Sequence, residues 1–257
     1  EAMWSRFLPH YDVIRQTIAA GLLGEVVTVL ADHGQRLWPD GPRRLADPAL
    51  AGGSLRDLGI YPLSLASMVL GGIESVATVG HATDEGVDAR VAMAVRGSSG
   101  AVGALSCDMS ARTPTTASIN GTWARIEIDG DFYAPTTVRL AGSDGVVLDE
   151  IVADPFEMHR GLRHEACEVA LRVHAGEVES PLMPLEESIR LMEVMDEVRA
   201  EDTSGSVLER LAHEGARLLV DALDVGLQEA GERDGATAHG EGTDLPRPRG
   251  ALDTQGQ

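Results

Sequence analysis

Val87-Asp-Ala-Arg-Val-Ala-Met-Ala-Val-Arg-Gly-Ser-Ser-Gly-Ala-Val-Gly-Ala-Leu-Ser-Cys-Asp-Met-Ser110 decides the fold class of this chain. Apolar residues fall on every second position on both sides of Gly97-Ser-Ser-Gly100. A period of two is that of a half-buried strand, and a short Gly/Ser turn between two such runs reads as a β-hairpin. Similar runs lie on either side, at 73–81, 115–120, 123–129 and 136–141. Asn120-Gly121 and Asp129-Gly-Asp131 separate some of them. Connections this short make neighbouring strands antiparallel.

The pattern changes outside this block. Phe7, Leu8, Tyr11, Ile14, Ile18 and Leu22 recur at helical spacing, and Glu25–Ala31 then reads as a strand. Residues 34–53 are rich in Pro and Gly and read as a loop, either a substrate lid or a plain connector. An apolar helix runs to about Gly71, and helices resume at about 157–176 and 184–200. The second of these opens on Pro184 and Glu186-Glu187, which suit a helix N-terminus. Strands and helices do not alternate as βαβ units. The expected class is α+β: a mainly antiparallel open sheet with helices on one face. Three parts are expected: residues 1–200 as the α+β domain, 201–230 as an additional amphipathic helix, and 231–257 as a disordered tail.

Composition narrows the function classes. The formal net charge of −20 disfavours nucleic acid and anionic lipid as partners. Arg43-Arg44 is the only adjacent basic pair, and no apolar run approaches the ~20 residues of a bilayer span. Cys107 and Cys167 are the only cysteines, too few for a disulfide framework. A cytoplasmic protein is expected. His164 and Glu168 are four residues apart, but no third ligand follows at fixed spacing, so no metal site is expected.

The chemistry-bearing stretch is Gly52-Gly-Ser-Leu-Arg-Asp-Leu-Gly-Ile-Tyr61. Asp57 and Tyr61 are four residues apart at the start of the apolar helix, so a helical reading puts both on one face. A phenol beside a carboxylate suits proton exchange with a carbonyl or hydroxyl oxygen. The plainer alternative is a helix N-terminus with an incidental Tyr.

Three ordered stretches carry a family resemblance: Glu1-Ala-Met-Trp-Ser-Arg-Phe-Leu-Pro9, Gly52–Tyr61, and Gly161-Leu-Arg-His-Glu-Ala166. Together they resemble the glucose–fructose oxidoreductase / inositol dehydrogenase / MocA family, in its dihydrodiol dehydrogenase and xylose dehydrogenase branch. The likeness runs from Glu1 to about Ala200. Family members carry a nucleotide-binding half with a Gly-x-Gly-x-x-Gly turn, and a Lys in a Glu-Lys-Pro motif. This sequence has neither; all 21 of its Lys and Arg residues are Arg. Gly97-Ser-Ser-Gly100-Ala-Val-Gly103 is the nearest imitation of the turn, and it reads as the hairpin above.

The resemblance implies the C-terminal substrate and dimerisation domain of an NAD(P)-dependent oxidoreductase acting on a sugar, polyol or trans-dihydrodiol. Tyr61 would exchange a proton with the substrate during hydride transfer, and Asp57 would orient the substrate hydroxyl or the Tyr environment. Trp4 and Arg6 would face cofactor or substrate, or serve packing and surface charge. Phe132, Tyr133 and Phe156 would wall the substrate pocket, or belong to the core. NAD or NADP would be held by the missing half, leaving the isolated chain inactive. A homodimer through the open sheet face is implied. The alternative is a non-catalytic dimerising or ligand-binding module.

Overall fold

The computed structural model describes residues 3–152 and 160–203, with the side chains of 201–203 excepted. The expected helix at 201–230, the tail at 231–257 and Phe156 lie outside the described residues.

Eight strands form one sheet: β1 Val26–Gly34, β2 Ser75–Ala82, β3 Asp88–Arg96, β4 Val102–Asp108, β5 Ala117–Gly121, β6 Ala124–Ile128, β7 Val138–Gly142 and β8 Val147–Ile151. Among the described residues four α-helices accompany it: α1 Pro9–Ala19, α2 Ile60–Leu70, α3 Leu162–Ala175 and α4 Leu185–Thr203. The α+β class expected from the sequence is the one observed.

The β3–β4 hairpin forms as its alternation requires. Val95 pairs with Gly103 and Arg96 with Val102, and the Gly97 amide donates to the Ala101 carbonyl at 2.9 Å. Val91, Met93, Val95, Leu105 and Cys107 fill one face. Strand order departs from sequence order, running β2-β3-β4-β1-β5-β6-β7-β8. The early strand β1 is inserted between β4 and β5, parallel to β4 and antiparallel to β5. Local alternation carries no record of such distant pairing. Strand β8 was also not expected. Its five residues are all exposed at the sheet edge, so no buried face marks it.

Helix α2 is apolar nearly all round because it is covered on several sides. It packs on β1, β4 and α4, burying Ile60, Leu63, Leu65, Ala66 and Leu70. A helix with this pattern belongs in a core. It ends at Gly71, at φ +72°, in the left-handed conformation that glycine adopts without a Cβ penalty. Its start differs from the sequence expectation: residues Leu55–Gly59 form a π turn before the α-helical hydrogen bonding begins.

The opposite face of the β2–β3–β4–β1 region carries small and apolar side chains, among them Ala77, Val79, Ala92, Ala104 and Leu30, of which Val79 and Leu30 are 54% and 46% exposed. No described helix is long and apolar enough to cross a membrane.

Leu63 of α2 is fully buried. Leu63→Ala leaves a cavity there and is expected to lower stability by about 2–5 kcal/mol. Urea unfolding monitored by far-UV circular dichroism checks this; a loss under 1 kcal/mol would place α2 outside the cooperative core.

Candidate active site

Four segments meet at the N-terminal end of α2. A 3-10 turn at Trp4–Phe7 brings Trp4. The end of β1 brings His33 and, one residue past it, Gln35. The first turn of α2 brings Tyr61. The chain after β6 brings Phe132 and Tyr133, anchored where the Phe132 amide donates to the Thr115 carbonyl at 3.0 Å. Asp32 of β1 holds that anchor in turn, accepting from the Thr115 amide at 2.7 Å and the Thr116 amide at 3.1 Å.

The rings pack closely around Tyr61. Its centroid lies 5.1 Å from that of His33 and 4.9 Å from that of Tyr133. His33 stacks on Tyr133 at 4.5 Å with 28° between planes. Trp4 meets Tyr133 edge-on at 6.2 Å, and its indole N–H donates to the Tyr61 oxygen at 3.4 Å. Such offset and edge contacts suit the aromatic quadrupoles.

Hydrogen bonds assign the histidine tautomer. His33 Nδ1 lies 3.1 Å from the Leu58 carbonyl oxygen, which only accepts, so Nδ1 carries the proton. Nε2 is then the acceptor for the Gln35 side-chain amide at 3.0 Å. The same amide nitrogen donates its second proton to the Tyr133 hydroxyl at 3.0 Å. Burial pushes the His33 pKa down, so the ring is neutral at pH 7, as that tautomer requires. Burial also raises the Tyr133 pKa, which keeps its hydroxyl protonated. The result is a neutral, hydrogen-bonded aromatic wall around one phenol.

The residues expected from the sequence divide accordingly. Trp4, Tyr61 and Tyr133 come together, with Phe132 fully buried behind them, 6.1 Å from Tyr133 and 6.3 Å from His33. Arg6 is buried and engaged elsewhere: Nε donates to Ser64 Oγ at 2.9 Å, and its guanidinium is ion-paired with Glu187 of α4. Ser67 donates to the same Glu187 carboxylate at 2.8 Å. Burial lowers the Arg6 pKa and the Glu187 carboxylate opposes that shift. Asp57 lies in the π turn and forms an ion pair with Arg44 at 2.6 Å. His33 and Gln35 were missed. The signal for His33 was available: continuing the buried register Val29, Ala31 by two residues reaches it, and a polar ring on an apolar register demands a partner.

Residues 11–131 match the model of the GFO/IDH/MocA C-terminal domain. This segment belongs to that family. The chain is 34% identical over 208 residues to the trans-1,2-dihydrobenzene-1,2-diol dehydrogenase of Bos taurus, covering 77% of this chain and 60% of that protein. The human enzyme of the same name is 32% identical over 203 residues with the same coverage. The chain thus spans about 60% of the length of these relatives. Among solved structures, a levoglucosan dehydrogenase in complex with NADH and levoglucosan superposes with a TM-score of 0.68 at 18% identity, covering 80% of this chain and 64% of that one. A 3-ketoreductase from Actinomadura kijaniata in complex with NADP and TDP-benzene gives 0.65 at 22% identity, covering 77% and 61%. At these identities the two structures speak for the fold.

The two solved structures named here contain a nicotinamide dinucleotide, and backbone amides at a helix N-terminus are what cradles a pyrophosphate. Gly97 and Gly100 close the β3–β4 hairpin, and Gly103 sits inside β4 facing Val95. No helix begins there, so these glycines do not present amides at a helix N-terminus to a diphosphate. This turn does not fit that part of the cofactor.

Two buried histidines set a pH dependence. Burial lowers the pKa of His33, and lowers that of His10 to about 4. Both values lie below the ~6.5 of an unfolded His. The stability gained by keeping these rings neutral is full above pH ~6.5 and is lost progressively as pH falls from there to the folded pKa. His10 alone is expected to account for about 2 kcal/mol of loss between pH 7 and pH 5. Urea unfolding of wild type and His10→Asn at both pH values checks this: the wild type should lose more stability than the variant, and equal losses would refute it.

Proposed function

We propose that this chain is the substrate-handling and self-associating part of an NAD(P)-dependent oxidoreductase acting on a sugar, polyol or trans-dihydrodiol, with Tyr61 as the group that exchanges a proton with the substrate oxygen. The observation that carries this reading is the Tyr61 phenol at the focus of four segments, beside the Trp4 indole N–H and the neutral His33–Gln35–Tyr133 network. A group placed so that it can reach one oxygen is what general acid–base catalysis needs.

The surroundings match an uncharged substrate. His33 and Tyr133 are neutral, and the nearby charges Arg44–Asp57 and Arg6–Glu187 are paired with each other. Aromatic faces at Trp4 and Tyr133 suit the C–H faces of a sugar ring or the ring of a dihydrodiol. When the substrate is an alcohol, its hydroxyl proton would pass to Tyr61 Oη in the phenolate form while the carbon gives its hydride to the oxidised nicotinamide and the carbonyl forms; in reduction the phenol would give that proton to the carbonyl oxygen as the hydride arrives, and become phenolate. In this reading Asp57, held by Arg44, borders the substrate hydroxyls, and Arg6 supports the helix through Ser64. Hydride exchange with NAD or NADP requires residues outside those described.

The uncovered sheet face supports self-association into a homodimer. Val79, Leu30 and Val102 stand exposed among alanines on one flat surface, and such a surface favours a second copy of the same sheet. Leu30→Glu places a charge on that face. Sedimentation is expected to show a dimer for wild type and a shift towards monomer for Leu30→Glu; a wild-type mass that stays monomeric at all concentrations would overturn the dimer.

The test of Tyr61 uses a full-length protein that joins this chain to a nucleotide-binding half. Tyr61→Phe keeps the ring and removes the hydroxyl. Turnover is expected to fall by ~10²–10⁴-fold with cofactor affinity unchanged. Near-normal turnover in a folded Tyr61→Phe enzyme would remove the phenol from the chemistry.

A further inference from the structure

The helix that carries Tyr61 starts irregularly, and two buried side chains from different strands hold the irregularity. Leu55–Gly59 is a π turn, and Tyr61 follows it by two residues. π turns of this kind insert an extra residue into a helix and recur at functional sites. Asp88, at the first position of β3, grips the beginning of the turn. Its Oδ2 accepts from the Leu55 amide at 2.5 Å and from the Ser54 hydroxyl at 3.1 Å. His33, from β1, grips the far end by donating from Nδ1 to the Leu58 carbonyl at 3.1 Å. Both side chains are buried.

The local sequence is cut to fit these grips. Gly53 has φ +115°, and a Cβ there would strike the Asp88 carboxylate. Gly59 closes the turn against Cys107, where a Cβ would come within 3.0 Å of the thiol sulfur. Asp88 is a costly way to hold a helix start. It is a buried carboxylate whose Oδ1 has no hydrogen-bond partner among the described residues, and an unsatisfied buried acceptor opposes folding. A neutral Ser or Asn cap would do the ordinary capping work more cheaply. What the pair supplies is position. If the π turn relaxed to α, the residues before and after it would rotate relative to each other by about 100°, one residue's worth of helical twist.

We propose that Asp88 and His33 form a two-sided clamp on the π turn 55–59, and that both are positioning residues which aim the Tyr61 phenol at Trp4 and the substrate side of the cluster. The clamp's importance for catalysis rests on the reading of Tyr61 as the proton carrier. The clamp itself is a statement about geometry, and it is tested without turnover.

The test is nuclear magnetic resonance of this chain, reading the nuclear Overhauser contact between the Trp4 indole N–H and the Tyr61 ring. Four variants separate hydrogen bonding from bulk. His33→Phe keeps an aromatic ring and removes the Nδ1 donor. His33→Asn puts an amide nitrogen near the Nδ1 position and restores a donor. Asp88→Leu removes the acceptor, and Asp88→Asn keeps one. The expected result is loss of the Trp4–Tyr61 contact in His33→Phe and Asp88→Leu, and its return in the two Asn variants, with circular dichroism of the sheet unchanged. A folded His33→Phe or Asp88→Leu that keeps the contact overturns the clamp. So does a folded His33→Asn or Asp88→Asn that loses it. Should either removal variant not fold, the variant on the other side of the turn and the two Asn variants decide. A positive contact pattern combined with full turnover of Tyr61→Phe would leave the clamp standing and reject only the proton-carrier reading.

Discussion

The parallel pairing of β1 with β4 is the constraint on which the site depends. Parallel neighbours cannot be joined by a tight turn; the chain must leave the sheet and cross back over it. Here the crossing segment includes the π turn and α2, so the helix that carries Tyr61 is laid over β1 and β4. The register sets the detail. His33 of β1 is opposite Cys107 of β4, and the same two residues meet the π turn, His33 at the Leu58 carbonyl and Cys107 at Gly59. A shift of one residue would turn His33 to the other face of the sheet, because side chains alternate with a period of two.

Burial then gives the site its chemical character. A histidine at the protein surface would titrate near pH 6.5. At 1% exposure His33 is held neutral, and its neutral form has one donor and one acceptor nitrogen. Both are used, for Leu58 and Gln35 respectively. Gln35 passes the chain of bonds on to Tyr133, so the π turn, β1 and the segment after β6 are linked through one imidazole. Buried polar networks of this kind are rigid when every member is satisfied. Cys107 shows the contrasting outcome. Burial pushes its thiol up to about 12, which makes it an inert part of the core.

The ion pairs that flank the cluster are of unequal weight. Arg6 and Glu187 join the N-terminal turn to α4 across 181 residues of sequence, and the arginine is almost fully buried. Removing one partner would strand a buried charge, which is more damaging than the net worth of the pair. Arg44–Asp57 is more open, with the arginine 57% exposed, and contributes less to stability. Its value lies in placing the 34–53 segment against the π turn, beside the ring cluster.

The sequence alone determined whatever depends on neighbours along the chain. The β3–β4 hairpin was legible because alternation and a Gly/Ser turn are local. The helix up to Gly71 was legible from its apolar run, and the family resemblance named Tyr61, Trp4 and Tyr133, which the fold brings together. Tertiary structure decided the rest. No periodicity in Glu25–Ala31 could say that β1 enters the middle of the sheet, since its partners lie 74 to 95 residues away. The π turn was hidden because Leu55–Gly59 reads as ordinary helix until Asp88 and His33, from other strands, take its amide and carbonyl. Asp57 and Arg6 met Arg44 and Glu187, choices that no spacing encodes. His33 and Gln35 gained their roles only when β1, the π turn and Tyr133 were brought within hydrogen-bonding distance, and hydrogen bonds reach only about 3 Å.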